Sequence, residues 1–358
     1  MNDEREPARR SEFDFIESIR RQQLKRSGVP LNSSPAAHHS SLLQGIGDDA
    51  AVIRQRSVFD SIITTDLLVE GIDFDLDSFK TSPRDIGHKA LAVSLSDIAA
   101  MGARPLWALL SVGVPQTRWD DSFLDKFYGG VRALAAPHGV VIIGGDISRT
   151  PERVVVDSIV IGETPRGRAV LRSGARAGDL IYVTGSLGGA SAGLKILQEG
   201  ARSNANAPLT RARRVLVRRQ TRPTPRVEWG RFLGEHKLAT AMIDLSDGLS
   251  SDLAHLCRES ATGAIIESST LPIDASIKRA GLTEAEALSH ALNGGEDFEL
   301  LFTVRPRDEK RLPLEVGGVP VTRIGRMTGT ACDIRLMTGG RAGVLKPSGF
   351  QHFVRGRR

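Results

Sequence analysis

Cysteine, aromatic rings and long apolar runs are all scarce in this chain. Only Cys257 and Cys332 occur in 358 residues, which excludes a disulfide framework and a cysteine-rich zinc cluster. Aromatic side chains make up 5% of the sequence, too few for the base-stacking platforms of a single-strand nucleic-acid binder. No uninterrupted apolar stretch approaches the roughly 20 residues that span a bilayer. The polar start Met1-Asn2-Asp3-Glu4-Arg5-Glu6 is no signal peptide, so the expected setting is the cytoplasm, without a membrane partner. There is no Gly-x-x-x-x-Gly-Lys-Ser/Thr loop, and no His-Arg-Asp or Asp-Phe-Gly pair, so phosphate chemistry here needs a scaffold other than the P-loop or the protein kinase.

What is present is glycine next to aspartate, three times over: Gly45-Ile46-Gly47-Asp48-Asp49, Gly144-Gly145-Asp146 and Asp244-Leu245-Ser246-Asp247-Gly248. Glycine lets backbone approach a ligand closely, and carboxylates are the hard oxygen donors that magnesium and calcium prefer. Together they point to a metal-dependent phosphate site. The first run also has the skeleton of a dinucleotide-binding turn, but Asp48 and Asp49 would set two anions against an anionic pyrophosphate.

The composition, 40% hydrophobic and 25% charged, is that of a globular protein, and the length fits two domains. Net charge is +6. Basic residues concentrate in 211–219 and 355–358, read as a solvated helix face and a tail rather than a specific nucleic-acid surface. Residues 1–10 are expected to be disordered, 11–26 helical, with Ser11 and Asp14 as a loose capping box, and 27–41 a mobile loop in which His38-His39 is solvated. Strands are expected at 51–53, 61–65, 105–114, 140–144, 154–162 and 179–184, the fourth ending in the glycine pair. Helices are expected at 84–101, ending at Gly102, and at 120–136, 210–220 and 247–258, with a flexible loop at 198–208. A second unit begins near Glu163.

Three acidic constellations carry the chemistry. In the first, Asp48 and Asp49 join Thr64-Thr65-Asp66, read as a strand end where hydroxyls can complete a metal sphere; Asp66 could equally cap a turn. In the second, Asp97 sits on an apolar helix and needs a partner, a cap or a metal. In the third, Asp244 and Asp247 flank Ser246 as a multidentate cation site, although Asp247 alone could cap a helix.

The ordered series GIGDDAAVI (45–53), TTDLLVEGIDF (64–74), HKALAVSLSDIAAMGARP (88–105), IGGDISR (143–149), LRSGARAGDLIYVTGSLGGASAGL (171–194), IDLSDGL (243–249) and NGGEDFELLFT (293–303) resembles the thiamine-monophosphate kinase family. The likeness extends from about residue 12 to residue 353. Selenophosphate synthetase, hydrogenase maturation factor and aminoimidazole ribotide synthetase share the broader superfamily, but the cysteine signatures expected of the first two are missing here. The resemblance implies an α/β (α+β) fold. A mixed-sheet amino-terminal domain (11–162) pairs across a homodimer and is followed by a carboxyl-terminal α/β domain (163–358). It implies phosphoryl transfer from ATP to thiamine monophosphate with several magnesium ions and no dedicated catalytic base. By motif, Asp49, Thr64, Thr65, Asp66, Asp97, Asp146, Asp244 and Asp247 fall on metal-ligand positions. Tyr128, Gly145, Asp146, Arg172 and Ser246 fall on nucleotide positions, although Arg172 alone reads as a surface ion-pair residue. Asp73, Glu296 and Phe350 fall on substrate positions, Asp73 standing where the family often has histidine and reading equally as a solvated turn residue.

Overall fold

The computed structural model describes residues 42–44, 48–55, 58–119, 121–203 and 209–350, together with Glu17. The expectations for residues 1–10, 11–26 and 27–41, for Gly45-Ile46-Gly47 and for the basic tail lie outside the described residues, Glu17 excepted, which is helical.

The first unit contains β1 (Leu42–Gln44), β2 (Ala51–Arg54), β3 (Phe59–Val69), α1 (Pro83–Ala100), β4 (Arg104–Pro115), α2 (Asp121–Ala135), β5 (Val141–Thr150) and β6 (Val155–Pro165). Its sheet runs β1-β2-β3-β6-β4-β5, antiparallel throughout except for the β4–β5 pair. Alternation along β3 turns Ile62 and Leu68 inward. α1 covers that inner face. It starts at Ser82, whose side chain accepts from the Asp85 N–H, with Pro83 in the first turn, and the chain leaves it at Gly102, φ +66°.

The second unit contains β7 (Leu180–Thr184), α3 (Gly189–Ser203), α4 (Arg211–Thr221), α5 (Val227–Glu235), β8 (Ala239–Asp244), α6 (Leu249–Glu259), β9 (Gly263–Glu267), α7 (Ala275–Arg279), α8 (Glu284–Asn293), β10 (Leu300–Val304), β11 (Glu315–Val316), β12 (Val319–Thr328), β13 (Ile334–Thr338) and β14 (Arg341–Val344). Its sheet is ordered β14-β13-β9-β12-β7-β10-β8, with β11 on β12. Only β9 and β13 pair in parallel.

The two units share one apolar core, which runs from Ile62, Leu95 and Leu110 to Trp229, Met242 and Phe302. α1 is apolar on nearly every side, as a helix buried between layers must be, and α5 lies directly on it. A Cβ added at Gly230 would stand 2.1 Å from the Ala99 carbonyl oxygen, a distance no packing adjustment of side chains relieves.

The loop before β10 is anchored by a buried carboxylate. Glu299 takes Arg226 in two bonds of 2.5 Å, together with Arg219 at 3.2 Å and Thr184 at 2.8 Å. Burial alone would raise its pKa, but Arg226 and Arg219 hold it below the ordinary glutamate value. Its neighbour Asp297 accepts the Gly188 and Ala190 N–H groups at the start of α3.

Several expectations are corrected. β3 does not end at Thr64-Thr65-Asp66 but continues to Val69, so Asp66 caps no turn. β5 runs through the glycine pair to Thr150. It needs glycine there because a Cβ on Gly145 would stand 1.9 Å from the Leu110 oxygen. Residues 198–203 belong to α3, and only 204–208 of the expected loop fall outside the described residues. The basic face of α4 is largely solvated, but Arg219 turns inward to Glu299 and Asp274.

Gly230→Ala is expected to destabilise the chain by about 1–3 kcal/mol through overpacking against α1. Thermal unfolding checks this, with exposed Gly200→Ala, which meets nothing within 4 Å, expected to change little.

Candidate active site

Asp49 lies in the β1–β2 connection, Asp97 lies in the last turn of α1, and Asp244 ends β8. Their carboxylates come together: one ligand oxygen from each lies within 4.8 Å of the others, with Asp49 and Asp244 buried and Asp97 half-buried. Burial first, and then Asp66, Asp244 and Asp49, push the Asp97 carboxyl well above the ordinary range. Asp244 is raised well above it too, by burial and then by Asp49. Asp66 is pushed up to about 6, chiefly by burial, and Asp48 to about 7 by burial and by Asp49. Crowded hard-oxygen donors whose charges resist coexistence are the donor set a divalent cation such as magnesium fits.

Neutral and cationic neighbours partly relieve the crowding. The Thr64 hydroxyl donates to Asp97, Ser94 to Asp66 at 2.6 Å, and Ser96 to Asp244 at 2.6 Å. Arg172 grips Asp49 with Nη2 at 2.7 Å and Nε at 3.2 Å, while its backbone N–H donates to Asp48. It is thus no surface ion-pair residue: it neutralises a fully buried carboxylate.

Beside the cluster opens a cavity of about 540 Å³, lined by Asp66 and Arg172 at one side and by Lys89, Val93, Leu194, Leu197, Phe298 and Phe350 along its walls. Ile86, Lys89 and Val93 share one stripe of α1 with Ser96 and Asp97, at helical spacing. The cavity therefore runs along the helix that supplies the acidic cluster. Asp73, Ser246, Asp247 and Glu296 also line it. Asp73 closes the turn after β3, its carboxylate accepting the Val69 N–H at 2.7 Å. Phe350 is 49% exposed, and its N–H donates to the Asp247 carbonyl. Asp247 precedes α6 without capping it, since the cap position is Gly248 and has no side-chain bond. Asp252 of the same motif is buried and accepts the Asp247 and Gly248 N–H groups.

Four expected site residues stand apart from this assembly. Thr65 points away from α1, donating to Asp157 at 2.6 Å, whereas its neighbour Asp66 meets Ser94 of the helix. Asp146 pairs in register with Ser111, and Ser111 with Asp157, so Asp146 lies on that same outer face, while Gly145 beside it is in register with the buried Leu110 and does not line the cavity. Tyr128 is half-buried on α2, edge-on to Phe127, and does not line the cavity.

Sequence reasoning assigned no role to Lys89, Ser94, Ser96 or Gln220. The signal lay in spacing: Lys89 stands two turns before Ser96 and Asp97 on one helix face.

Comparisons with known proteins show the family. Residues 47–164 match the AIR synthase related protein N-terminal domain, and residues 176–335 the corresponding C-terminal domain. The thiamine-monophosphate kinase of Bacillus subtilis (strain 168) is 37% identical over 345 residues, 96% of this chain and 99% of the relative. That of Escherichia coli (strain K12) is 40% identical over 314 residues, 87% of this chain and 92% of the relative. The chain belongs to the thiamine-monophosphate kinase family. Among solved structures, AaThiL complexed with AMPPCP and TMP superposes with TM-score 0.79 at 30% identity, covering 98% of this chain and all of that one. The thiamine-monophosphate kinase of Stenotrophomonas maltophilia K279a gives 0.73 at 36% identity, covering 93% and 98%.

For this family member, the buried pair of Arg172 and Asp49 makes a specific prediction. Arg172→Met leaves a buried carboxylate unpaired, which should lower stability by about 3 kcal/mol in metal-free buffer. Magnesium should recover part of the loss by ligand linkage. Thermal unfolding with and without magnesium checks both; equal loss in the two buffers would mean that no cation reaches Asp49.

Proposed function

We propose that this chain brings ATP and thiamine monophosphate together where the cavity meets the Asp49–Asp97–Asp244 cluster. The reaction is that of its family: an ATP-dependent phosphoryl transfer onto thiamine monophosphate, which yields thiamine diphosphate and ADP. The observation that carries the reading is the junction itself, a cavity of about 540 Å³ with mixed apolar and charged walls opening beside three convergent carboxylates.

Both substrates are multiply anionic, so their phosphates repel one another and the aspartates alike. Magnesium ions held by Asp49, Asp97 and Asp244, with Asp66, Asp247 and the Thr64 hydroxyl beside them, would neutralise those oxygens when bound. Arg172 adds a fixed guanidinium at the cavity wall, and with Ser246 it faces the nucleotide phosphates. Glu296, Phe350 and the Asp73 turn hold the acceptor's rings, Phe350 offering an aromatic face to a cationic ring. The acceptor phosphate, with a second pKa of about 6, is already ionised at neutral pH. It therefore needs no base, and the protein's task is to align two phosphates and exclude water.

A homodimer belongs to the same reading. Leu67, Trp107 and Val141 are exposed by 60%, 45% and 57% on the sheet face away from α1, a patch suited to a second copy. Thr65 and Asp146 lie on that face, and Gly145 and Tyr128 lie outside the cavity, so their metal and nucleotide roles go with a site that two copies complete. We take 11–162 and 163–358 as the two domains, 1–10 as an extension, and the cytoplasm, where ATP is available, as the compartment.

The test is ADP release with magnesium and either thiamine monophosphate or free thiamine. The phosphate monoester should support turnover and free thiamine should support far less, because only the former presents an ionised phosphate to the cluster. Equal or faster turnover with free thiamine would overturn the reading.

A further inference from the structure

Lys89 is 3% exposed, a lysine inside the protein on the face of α1 that lines the cavity. Its Nζ lies 2.6 Å from Glu296 Oε1 and donates to the Asp73 carbonyl oxygen at 2.8 Å. These two partners come from opposite sides of the cavity: the turn after β3 and the loop before β10. The other Glu296 oxygen accepts from the amide of Gln220, which is 5% exposed. Glu296 itself sits at φ +67°, a left-handed conformation that non-glycine residues rarely adopt and that surrounding contacts must impose. Its N–H donates to the Ser246 carbonyl at 2.8 Å, inside the loop that follows Asp244.

We propose that Lys89 is a positioning residue for the acceptor, its ammonium fixing the Glu296 carboxylate and the Asp73 turn in one arrangement around the cavity. The inference rests on the reading that this cavity takes the acceptor. A carboxylate held through both oxygens has its remaining lone pairs directed, and it selects a ligand that presents N–H donors on a ring. An aminated heteroaromatic acceptor is the class that fits. Lysine suits the task because a compact ammonium can donate to a carboxylate and a carbonyl in different directions at once. A purely architectural ion pair would also tie α1 to the loop, but removing it would affect both substrates alike.

The experiment measures kcat, the KM for thiamine monophosphate, the KM for ATP and thermal unfolding. The variants are Lys89→Met, Glu296→Gln and the double substitution. Lys89→Met should raise the acceptor KM about tenfold or more, with the ATP KM within about twofold of wild type. Glu296→Gln should cost about tenfold alone but less than about threefold in the Lys89→Met background, because the two act as one unit. If Lys89→Met does not fold, Gln220→Met, which releases the other oxygen of Glu296, must show the same acceptor-selective loss. Equal rises in both KM values, or effects of the two substitutions that multiply, would overturn the inference while leaving the proposed reaction intact. No transfer to thiamine monophosphate by the wild-type chain would overturn the reaction, and this inference with it.

Discussion

Carboxylates packed against one another, away from water, set the terms for the rest of this molecule. Asp49, Asp97 and Asp244 bring ligand oxygens to within 4.8 Å, where two full charges near a protein surface repel by about 4 kcal/mol per pair. Serine and threonine hydroxyls can satisfy oxygens but not remove charge, and Arg172 bonds only to Asp49 and Asp48 among these carboxylates, easing Asp244 from a distance. The remaining imbalance invites cations. Because each aspartate comes from a different element, a cation shared among them would tie the β1–β2 connection, α1 and the end of β8 together.

α1 is the element on which this depends. Its interior position follows from an apolar run after its first two turns, bounded by Lys89 and broken at Ser94, Ser96 and Asp97, where the site needs polarity. The helix can lie so near α5 because Gly230 has no side chain to hold the Ala99 carbonyl away. That closeness merges two sheets into one core. It also brings Ser96 to Asp244 across a sequence gap of 148 residues.

Much of this was legible in the sequence where the physics is local. The apolar spacing of 84–101 and the glycine at its end located α1 to within a residue. The β-rich runs 105–114 and 154–162 marked central strands, and two of the three glycine–aspartate motifs marked residues that the fold gathers, Asp49 and Asp244. What escaped was non-local. Thr64-Thr65-Asp66 looked like a strand end because polar residues rarely occupy a sheet's inner face; here that face borders the site, so β3 continues. Which face Asp146 takes depends on the irregular register between β4 and β5 near Ala108 and Leu109, a detail without a local signature. Arg172 looked like a surface residue because its partner lies 123 positions away. Lys89 drew no attention because a lysine on a helix is ordinarily solvated.

We infer that the aspartate cluster holds metal beside the cavity. The most direct measurement is a crystal of the chain grown with manganese and a non-hydrolysable ATP analogue, with diffraction recorded at the manganese absorption edge. Anomalous peaks at coordination distance from at least two of Asp49, Asp97 and Asp244 are the predicted result. A bound nucleotide with no anomalous peak at these residues would contradict the account.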